Sequence, residues 1–381
     1  MKKLISFLLN ILFPIRRNFS ISAVKSIVVF QFGHIGDIVL SFAFLKALRG
    51  VFPQAKISFV CGDWGKEILT DNASADEIII FNHPMQSRKK DGLISSIVNS
   101  FHFISLLRGR KIDLSIDLKG NLNTALINLL SGSRFKAGRD EGGYNFPYSF
   151  LTADYNNYEV LNLLALLEKI VDRKIEFDGY GLRTSHETLE KARKKLGANG
   201  NNKYIVLHPT TPWKPKDWGK DNYKKLIKDI LDAFVVDVVI IGTREEFDAN
   251  EELTLVDQKS RVKNFSGKLD IMETAAIISK AQLFIGSDSG PMHIAVALGN
   301  SVIALMGPGD YPRFAPYNPK GISRVVRHEI CKYQKYNDCK QIFGQDKCAM
   351  DNNFCMKSIT PLEVFAIAED ILEWSKERTC K

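Results

Sequence analysis

The sequence predicts an α/β protein made of two doubly wound, Rossmann-like domains facing each other across a cleft. Three observations predict it. Short β-branched apolar runs alternate with runs of helical spacing, the signature of βαβ units and parallel sheets. The alternation stops at a polar, glycine-bearing stretch, TSHETLEKARKKLGANGNNK (184–203), and then restarts. A chain of 381 residues also exceeds one ordinary core.

The elements follow in order. KSIVVFQFG (25–33) is a buried strand, and DIVLSFAFLKALRGVFP (37–53) a helix stopped by Gly50 and Pro53. KISFVCG, DEIIIFN and KIDLSIDLKG continue the strands, with helical patterns between them. After the charged stretch, KYIVLHP, VVDVVIIG, AQLFIGSDSG and SVIALMGPG are strands. NYKKLIKDILDAF, DIMETAAIISK and PMHIAVALG are the helices that alternate with them. The expected division is an N-terminal segment 1–23, a first domain 24–190, a second domain 200–358 and a C-terminal helix within 359–381 that packs back on the first domain.

Composition narrows the class. Apolar residues at 45% and charged residues at 25% describe a soluble globular chain. A formal charge of +9 directs attention to anionic partners: phosphates, nucleic acid or an anionic membrane. The basic residues are not interleaved with aromatics as in a nucleic-acid module, so no nucleic acid is expected. The N-terminus, MKKLISFLLNILFPIRR, is too short to span a bilayer, at roughly 20 residues needed, and lacks a small-residue cleavage site. It is either an interfacial helix on a membrane surface or a helix packed on the body of the protein.

Cys61, Cys331, Cys339, Cys348, Cys355 and Cys380 are too sparse for a disulfide framework, which points to a reduced, cytoplasmic protein. Four of them space as C-x₇-C-x₈-C-x₆-C, without the close pairs of structural zinc sites. Reduced, partly buried thiols are the preferred reading, zinc or iron binding the other, and no metal is assigned.

Ligands of open parallel sheets sit beyond the carboxyl ends of the strands, so chemistry is sought in the strand-to-helix turns. In GSDSGPMHIAVALG (286–299), Pro291 suits the first helical position and Ser289 or Gly290 the cap. The free N–H groups and the helix dipole there form an anion site. Asp288 then serves neighbouring N–H groups or a sugar hydroxyl, and His293 lies in the first turn; a capped, buried helix with a satisfied histidine is the plainer reading. In FGHIGDIVLS (32–41), Gly33 and Gly36 permit a tight turn. Asp37 there is either a general base toward a hydroxyl or only a partner of the helix dipole. In HPTTPWKPKDWGKDNY (208–223), Lys214 and Lys216 are placed to meet a diphosphate, or are simply solvated. In IIGTREEFDANEEL (240–253), Glu245 and Glu246 are placed to hold ribose hydroxyls, or open a helix as its acidic first turn.

FGHIGDIVLSFAFLKALRGVFPQAKISFV, IDLKGNLNTALI, KDWGKDNYKKL, GSDSGPMHIAVALGNSVIALMGPGD and CMKSITPLEV together resemble glycosyltransferase family 9, the lipopolysaccharide heptosyltransferases, over about residues 25–372. The resemblance implies a GT-B fold with the donor on the second domain. It implies inverting transfer of heptose from ADP-L-glycero-D-manno-heptose to a Kdo or heptose hydroxyl of the inner core. It implies Asp37 as general base and Lys216 on the donor diphosphate. Ser289 and Gly290 would offer N–H groups to phosphate, Asp288 and His293 would shape the donor site, and Glu246, with Glu245 the weaker candidate, would take the ribose. Gly219 stands where the family has proline, Ala43 where many members have proline, and the loop RFKAGRDEGGYNFPYS is unmatched.

No D-x-D motif ends a strand, so metal-independent transfer without a cofactor is expected. Arg108, Arg110, Lys111, Lys119, Lys136 and Arg139 form a basic set in the first domain that either meets acceptor anions or is solvated; Lys119 and Arg139 are the acceptor-side candidates. The expected partners are a nucleotide sugar, an anionic lipid-linked saccharide of the lipid A–Kdo type and the inner face of the cytoplasmic membrane. Alternatives are a transferase of a UDP-, GDP- or other ADP-sugar, a sugar-nucleotide epimerase on the same architecture, and a nucleotide-binding scaffold.

Overall fold

The computed structural model describes residues 2–13, 15–16, 18–70, 74–82, 93–152, 158–197, 203–319, 321–334, 339, 348 and 353–379. Pro14, Arg17, part of the expected linker (198–202) and Cys380 lie outside the described residues. The chain forms two compact units, Met1–Gly181 and Leu182–Lys381.

Unit 1 runs α1 (Lys2–Leu12), β1 (Ser26–Phe30), α2 (Ile35–Val51), β2 (Lys56–Cys61), α3 (Lys66–Leu69), β3 (Glu77–Ile80), α4 (Leu93–Arg108), β4 (Leu114–Asp117), α5 (Leu122–Leu130), β5 (Phe135–Arg139), β6 (Phe150–Thr152) and α6 (Glu159–Val171). Its strands lie in the order β3-β2-β1-β4-β5-β6, and every pairing is parallel. Such a sheet is covered on both faces, which is why β1 reads as a nearly continuous apolar run and every residue of β4 is buried, Ser115 and Asp117 included. Ile27, Val29, Phe30, Phe59 and Ile116 are fully buried.

Unit 2 runs α7 (His186–Leu196), β7 (Tyr204–His208), α8 (Lys220–Ala233), β8 (Asp237–Ile240), α9 (Phe247–Thr254), β9 (Val262–Asn264), α10 (Ile271–Lys280), β10 (Leu283–Ser287), α11 (Gly290–Ala297), β11 (Val302–Leu305), β12 (Ser323–Val326), α12 (Phe354–Lys357) and α13 (Pro361–Thr379). Its order, β12-β11-β10-β7-β8-β9, repeats the scheme of unit 1, again all parallel. Each sheet reverses direction once, between β1 and β4 and between β7 and β10. These switch points open the crevices where ligands bind in doubly wound sheets.

Two expected boundaries are corrected. The first domain does not run to residue 190, because α7 belongs to unit 2: it packs on α10, and Lys195 pairs with Glu273 at 2.5 Å. The C-terminal helix belongs to unit 2. α13 lies on α8 and places Val364, Ala368, Ile371 and Leu372 in the core of unit 2.

One stripe of the N-terminal helix packs on the body of unit 1. Leu9 packs with Ala125, Leu129, Phe146 and Tyr148, joined by Ile5 and Phe13 at helical spacing. Leu4, Phe7, Leu8, Ile11 and Leu12 remain exposed on the rest of α1. No described helix is long and apolar enough to cross a membrane.

Candidate active site

The switch point of unit 1 carries Asp37. His34 caps α2, and Asp37 Oδ2 accepts the His34 backbone N–H at 2.8 Å, closing a capping box. Gly33 is required there, because a Cβ at that position would collide with the Asp37 carboxylate. Gly36 lies in the first turn of the same helix. The second oxygen, Oδ1, faces Lys119 Nζ at 3.5 Å from the turn after β4. The helix cap therefore uses one oxygen of Asp37, and the other meets a cation.

Lys119 is placed by a residue that the motif reading passed over. Asp117, fully buried at the end of β4, accepts the N–H groups of Lys119 (3.0 Å) and Gly120 (3.1 Å) and the hydroxyl of Thr124 (2.9 Å). Burial pushes its carboxyl up to about 6, and these donors only partly oppose the rise. The signal was present in IDLKG: a carboxylate that ends a buried strand must bind its own turn.

Arg139 is corrected as an acceptor-side residue. Its guanidinium is fully buried, donates to both carboxylate oxygens of Glu159 (2.5 and 3.1 Å) and also to the Leu118 carbonyl. An arginine enclosed in this way braces β4, β5 and α6 and offers no surface to a ligand.

The switch point of unit 2 holds a denser constellation. Lys216 Nζ lies 2.5 Å from Asp288 Oδ2, and His293 Nε2 lies 3.5 Å from Asp288 Oδ1. Lys216 and Asp288 are each 13% exposed. Burial works to raise the Asp288 carboxyl, but the charge of Lys216 and the contact with His293 outweigh it and hold the group well below the usual carboxylate range. Asp288 therefore orients Lys216 and His293. The repulsion it would otherwise exert on a phosphate is spent on that ammonium.

Lys216 also lies 5.4 Å from the ring centroid of Trp213. Trp218, fully buried, fixes the far side of the turn by donating its indole N–H to the Ile359 carbonyl at 2.8 Å. Gly219 has φ +98°, a conformation closed to the proline that the family resemblance led one to expect. Lys214 is exposed at the rim.

Ser289 caps α11, but its hydroxyl makes no bond to the first turn and sits 3.2 Å from His208 Nδ1. Gly290 and Pro291 open the helix behind it. His208, buried at the end of β7, is pushed down by desolvation, which the nearby Glu246 carboxylate opposes. Glu246 closes a capping box on the Thr243 N–H at 2.7 Å and is half-buried, while Glu245 is exposed. His293 Nδ1 and Thr210 Oγ1 are buried without a hydrogen-bond partner among the described residues. Sequence reading missed both His208 and Thr210; their position at and just beyond the end of a buried strand was the available signal.

Lys216, Asp288, Ser289, Gly290 and His293 thus come together within unit 2, with Glu246 linked to them through His208. Asp37, Gly33, Gly36 and Lys119 come together within unit 1. The chemistry available is a carboxylate beside a cation in one unit. In the other it is an ammonium and a helix N-terminus suited to anions.

The comparisons agree with this architecture. Lipopolysaccharide heptosyltransferase 3 of Escherichia coli K12 is 26% identical over 321 residues, covering 79% of this chain and 90% of its own length. Among solved structures, a family 9 glycosyltransferase from Veillonella parvula superposes with a TM-score of 0.74 at 20% identity, covering 91% of this chain and 97% of its own. The E. coli ADP-heptose lipopolysaccharide heptosyltransferase II gives 0.72 at 20% identity, covering 92% and 99%. These likenesses show a GT-B fold. The sequence model of glycosyltransferase family 9 (heptosyltransferase) matches residues 101–341, and the chain therefore belongs to that family of glycosyltransferases.

Proposed function

We propose that this protein transfers heptose, with inversion, from ADP-L-glycero-D-manno-heptose to a Kdo or heptose hydroxyl of a lipopolysaccharide inner core. The observation that carries the reading is the Asp288-oriented Lys216 beside the N-terminus of α11, an arrangement suited to a nucleotide diphosphate. The names of the relatives support heptose as the sugar and lipopolysaccharide as the acceptor.

In this reading unit 2 binds the nucleotide sugar. Lys216 and the N–H groups of Ser289 and Gly290 stabilise charge growing on the departing ADP, while Asp288 and His293 shape the pocket. Glu246, and secondarily Glu245, takes the ribose. Unit 1 serves the acceptor: Asp37 accepts the proton of the attacking hydroxyl, and Lys119 steadies the carboxylate and meets acceptor anions. The lysine and the helix terminus supply the positive field that a divalent ion supplies elsewhere, so the transfer is proposed to be metal-independent.

We also propose that the protein works at the cytoplasmic face of the inner membrane. The crossovers after β3 and β4 place α4 and α5 on one face of the first sheet, and α1 packs on α5. Ile97, Val98 and Phe101 of α4 are exposed, as is the outer face of α1. Lys136, already lowered by burial, is lowered further by the charges of Arg16 and Arg108, which places three cations together beside these helices. Apolar side chains beside grouped cations suit an anionic bilayer surface.

Calorimetry of the full chain against ADP-heptose and UDP-, GDP- and other ADP-sugars tests the donor assignment. ADP-heptose is expected to bind tightest. Preference for a UDP- or GDP-sugar overturns the donor, and isomerisation of the sugar nucleotide without an acceptor overturns transfer.

A further inference from the structure

Lys216 has a second neighbour besides Asp288. Its ammonium lies over the indole ring of Trp213, 5.4 Å from the ring centroid, within the range of a cation–π contact. The local fold makes the pair. Lys214–Lys216 form a single 3₁₀ turn with Trp213 as its cap, and the Lys216 N–H donates to the Trp213 carbonyl at 2.9 Å. Residues three apart in such a turn eclipse, so the indole and the lysine stem leave it on the same side. Buried Pro215 fixes the backbone just before Lys216. The turn is tied from outside as well: Asn353 donates to the Lys214 carbonyl at 2.7 Å, and the Trp213 N–H donates to Thr211 Oγ1 at 3.3 Å.

The two neighbours of the ammonium act differently. Asp288, at 2.5 Å, takes one N–H and offsets charge. A ring face attracts through its quadrupole and carries no charge, so it holds a cation without neutralising it. A second carboxylate in that place would cancel the charge that an incoming anion needs. The two tryptophans of the turn are therefore put to different uses. Trp218 is fully buried and donates its indole N–H into the protein, which is anchoring. Trp213 is half-buried and has the ammonium over its ring.

We propose that Trp213 is a positioning residue for Lys216: its ring face and Asp288 together fix the ammonium before the donor diphosphate arrives. A lysine has a flexible four-carbon stem, and holding it in advance removes an ordering cost from binding. The diphosphate in this statement rests on the donor-site reading above; the hold of the ring on the lysine does not.

The test places increasingly fluorinated tryptophans at position 213 of the full chain. Fluorine alters the shape of the ring little and drains its face of electron density step by step. ADP affinity in calorimetry should fall in step with fluorination, by about three- to tenfold across the series. Trp213→Phe, which keeps an aromatic face, should lie nearer the wild type than Trp213→Leu. Without nucleotide, Lys216 should react with an amine-acylating reagent about threefold faster in Trp213→Leu than in the wild type. Peptide mass spectrometry reads this rate, with Lys214, exposed on the same turn, as the internal reference. ADP affinity that does not follow fluorination overturns the role, as does a Trp213→Leu protein that binds ADP and reacts at Lys216 like the wild type. A loss confined to ADP-heptose, with ADP bound as before, makes Trp213 a platform for the sugar and overturns the role as well. Wild-type protein that binds no ADP, with Lys216 still made reactive by Trp213→Leu, defeats the donor-site reading and supports the hold of the ring. The fluorinated series keeps the side chain in place, so misfolding of a variant cannot decide the outcome.

Discussion

At the scale of single residues, Asp37 and Asp288 each hold two partners at once, one with each carboxylate oxygen. Asp37 closes a helix cap with one oxygen and meets Lys119 with the other. The two roles separate by substitution. Asp37→Asn keeps an acceptor for the His34 N–H, so its melting temperature should stay near that of the wild type. As a lost base it should lower kcat by about 10²–10⁴-fold, with donor affinity unchanged in calorimetry. Near-normal turnover would remove Asp37 from catalysis. Asp288 is defined by its partner in the same way. Lys216→Ala leaves a mostly buried carboxylate without its ammonium and should cost about 3 kcal/mol of stability. Adding Asp288→Asn should recover most of that loss in denaturant titration without restoring turnover, because the lysine's charge is still missing. Recovery of both would show that the pair is only structural.

At the scale of elements, the turn from β4 to α5 is the clearest device. Asp117 is held ionisable inside the protein so that its oxygens can bind the turn carrying Lys119. Its folded value, about 6, lies above its ordinary value of 3.8. A carboxyl raised on folding contributes most below its unfolded value, and the contribution is lost as pH rises through the folded one. The window thus runs from 3.8 to about 6. Relative to Asp117→Asn, the wild type should gain stability as pH falls from 7 to 4, by about 3 kcal/mol at most. Chemical denaturation of both proteins at the two pH values checks this; a difference independent of pH would mean that the raised value is not realised. The turn from β7 to α8 works by anchoring instead. Trp218 pins it from below and Gly219 lets the chain enter α8 at positive φ, which leaves Lys216 in place above.

At the scale of the whole molecule, the repeated strand order gives each unit its own switch point, and each switch point gathers the polar residues of that unit. The apolar exposure concentrates elsewhere, on α1 and α4 of unit 1. The net charge of +9 and the Arg16, Arg108 and Lys136 group favour an anionic surface, at about 1 kcal/mol per basic residue near it. The protein should therefore sediment with vesicles containing phosphatidylglycerol, and less so with purely zwitterionic ones or at high salt. Leu8→Glu/Ile11→Glu/Leu12→Glu should abolish sedimentation while leaving donor affinity intact. Equal binding to both kinds of vesicle would discard the electrostatic part, and no binding to either would discard the surface.

By itself the sequence determined the layer architecture, and it directed attention to the strand-to-helix turns as the place of the candidate site. Parallel strands buried on both faces must be continuous apolar runs, and the polar residues at their ends have nowhere to go but the turns. Asp37, Lys216, Asp288, Ser289 and His293 were legible for that reason, and the family followed from those turns. β5, read as part of a loop because Lys136, Gly138 and Arg139 break its apolar pattern, and the edge strands β6, β9 and β12, only three or four residues long, were not legible. Only the tertiary structure decided the rest. It showed that Arg139 is enclosed by Glu159, that α7 and α13 pack within unit 2, and that Asp288 orients a lysine 72 residues away in sequence. Each of these is a contact between residues distant along the chain, and local spacing carries no information about which distant partner a charge will meet.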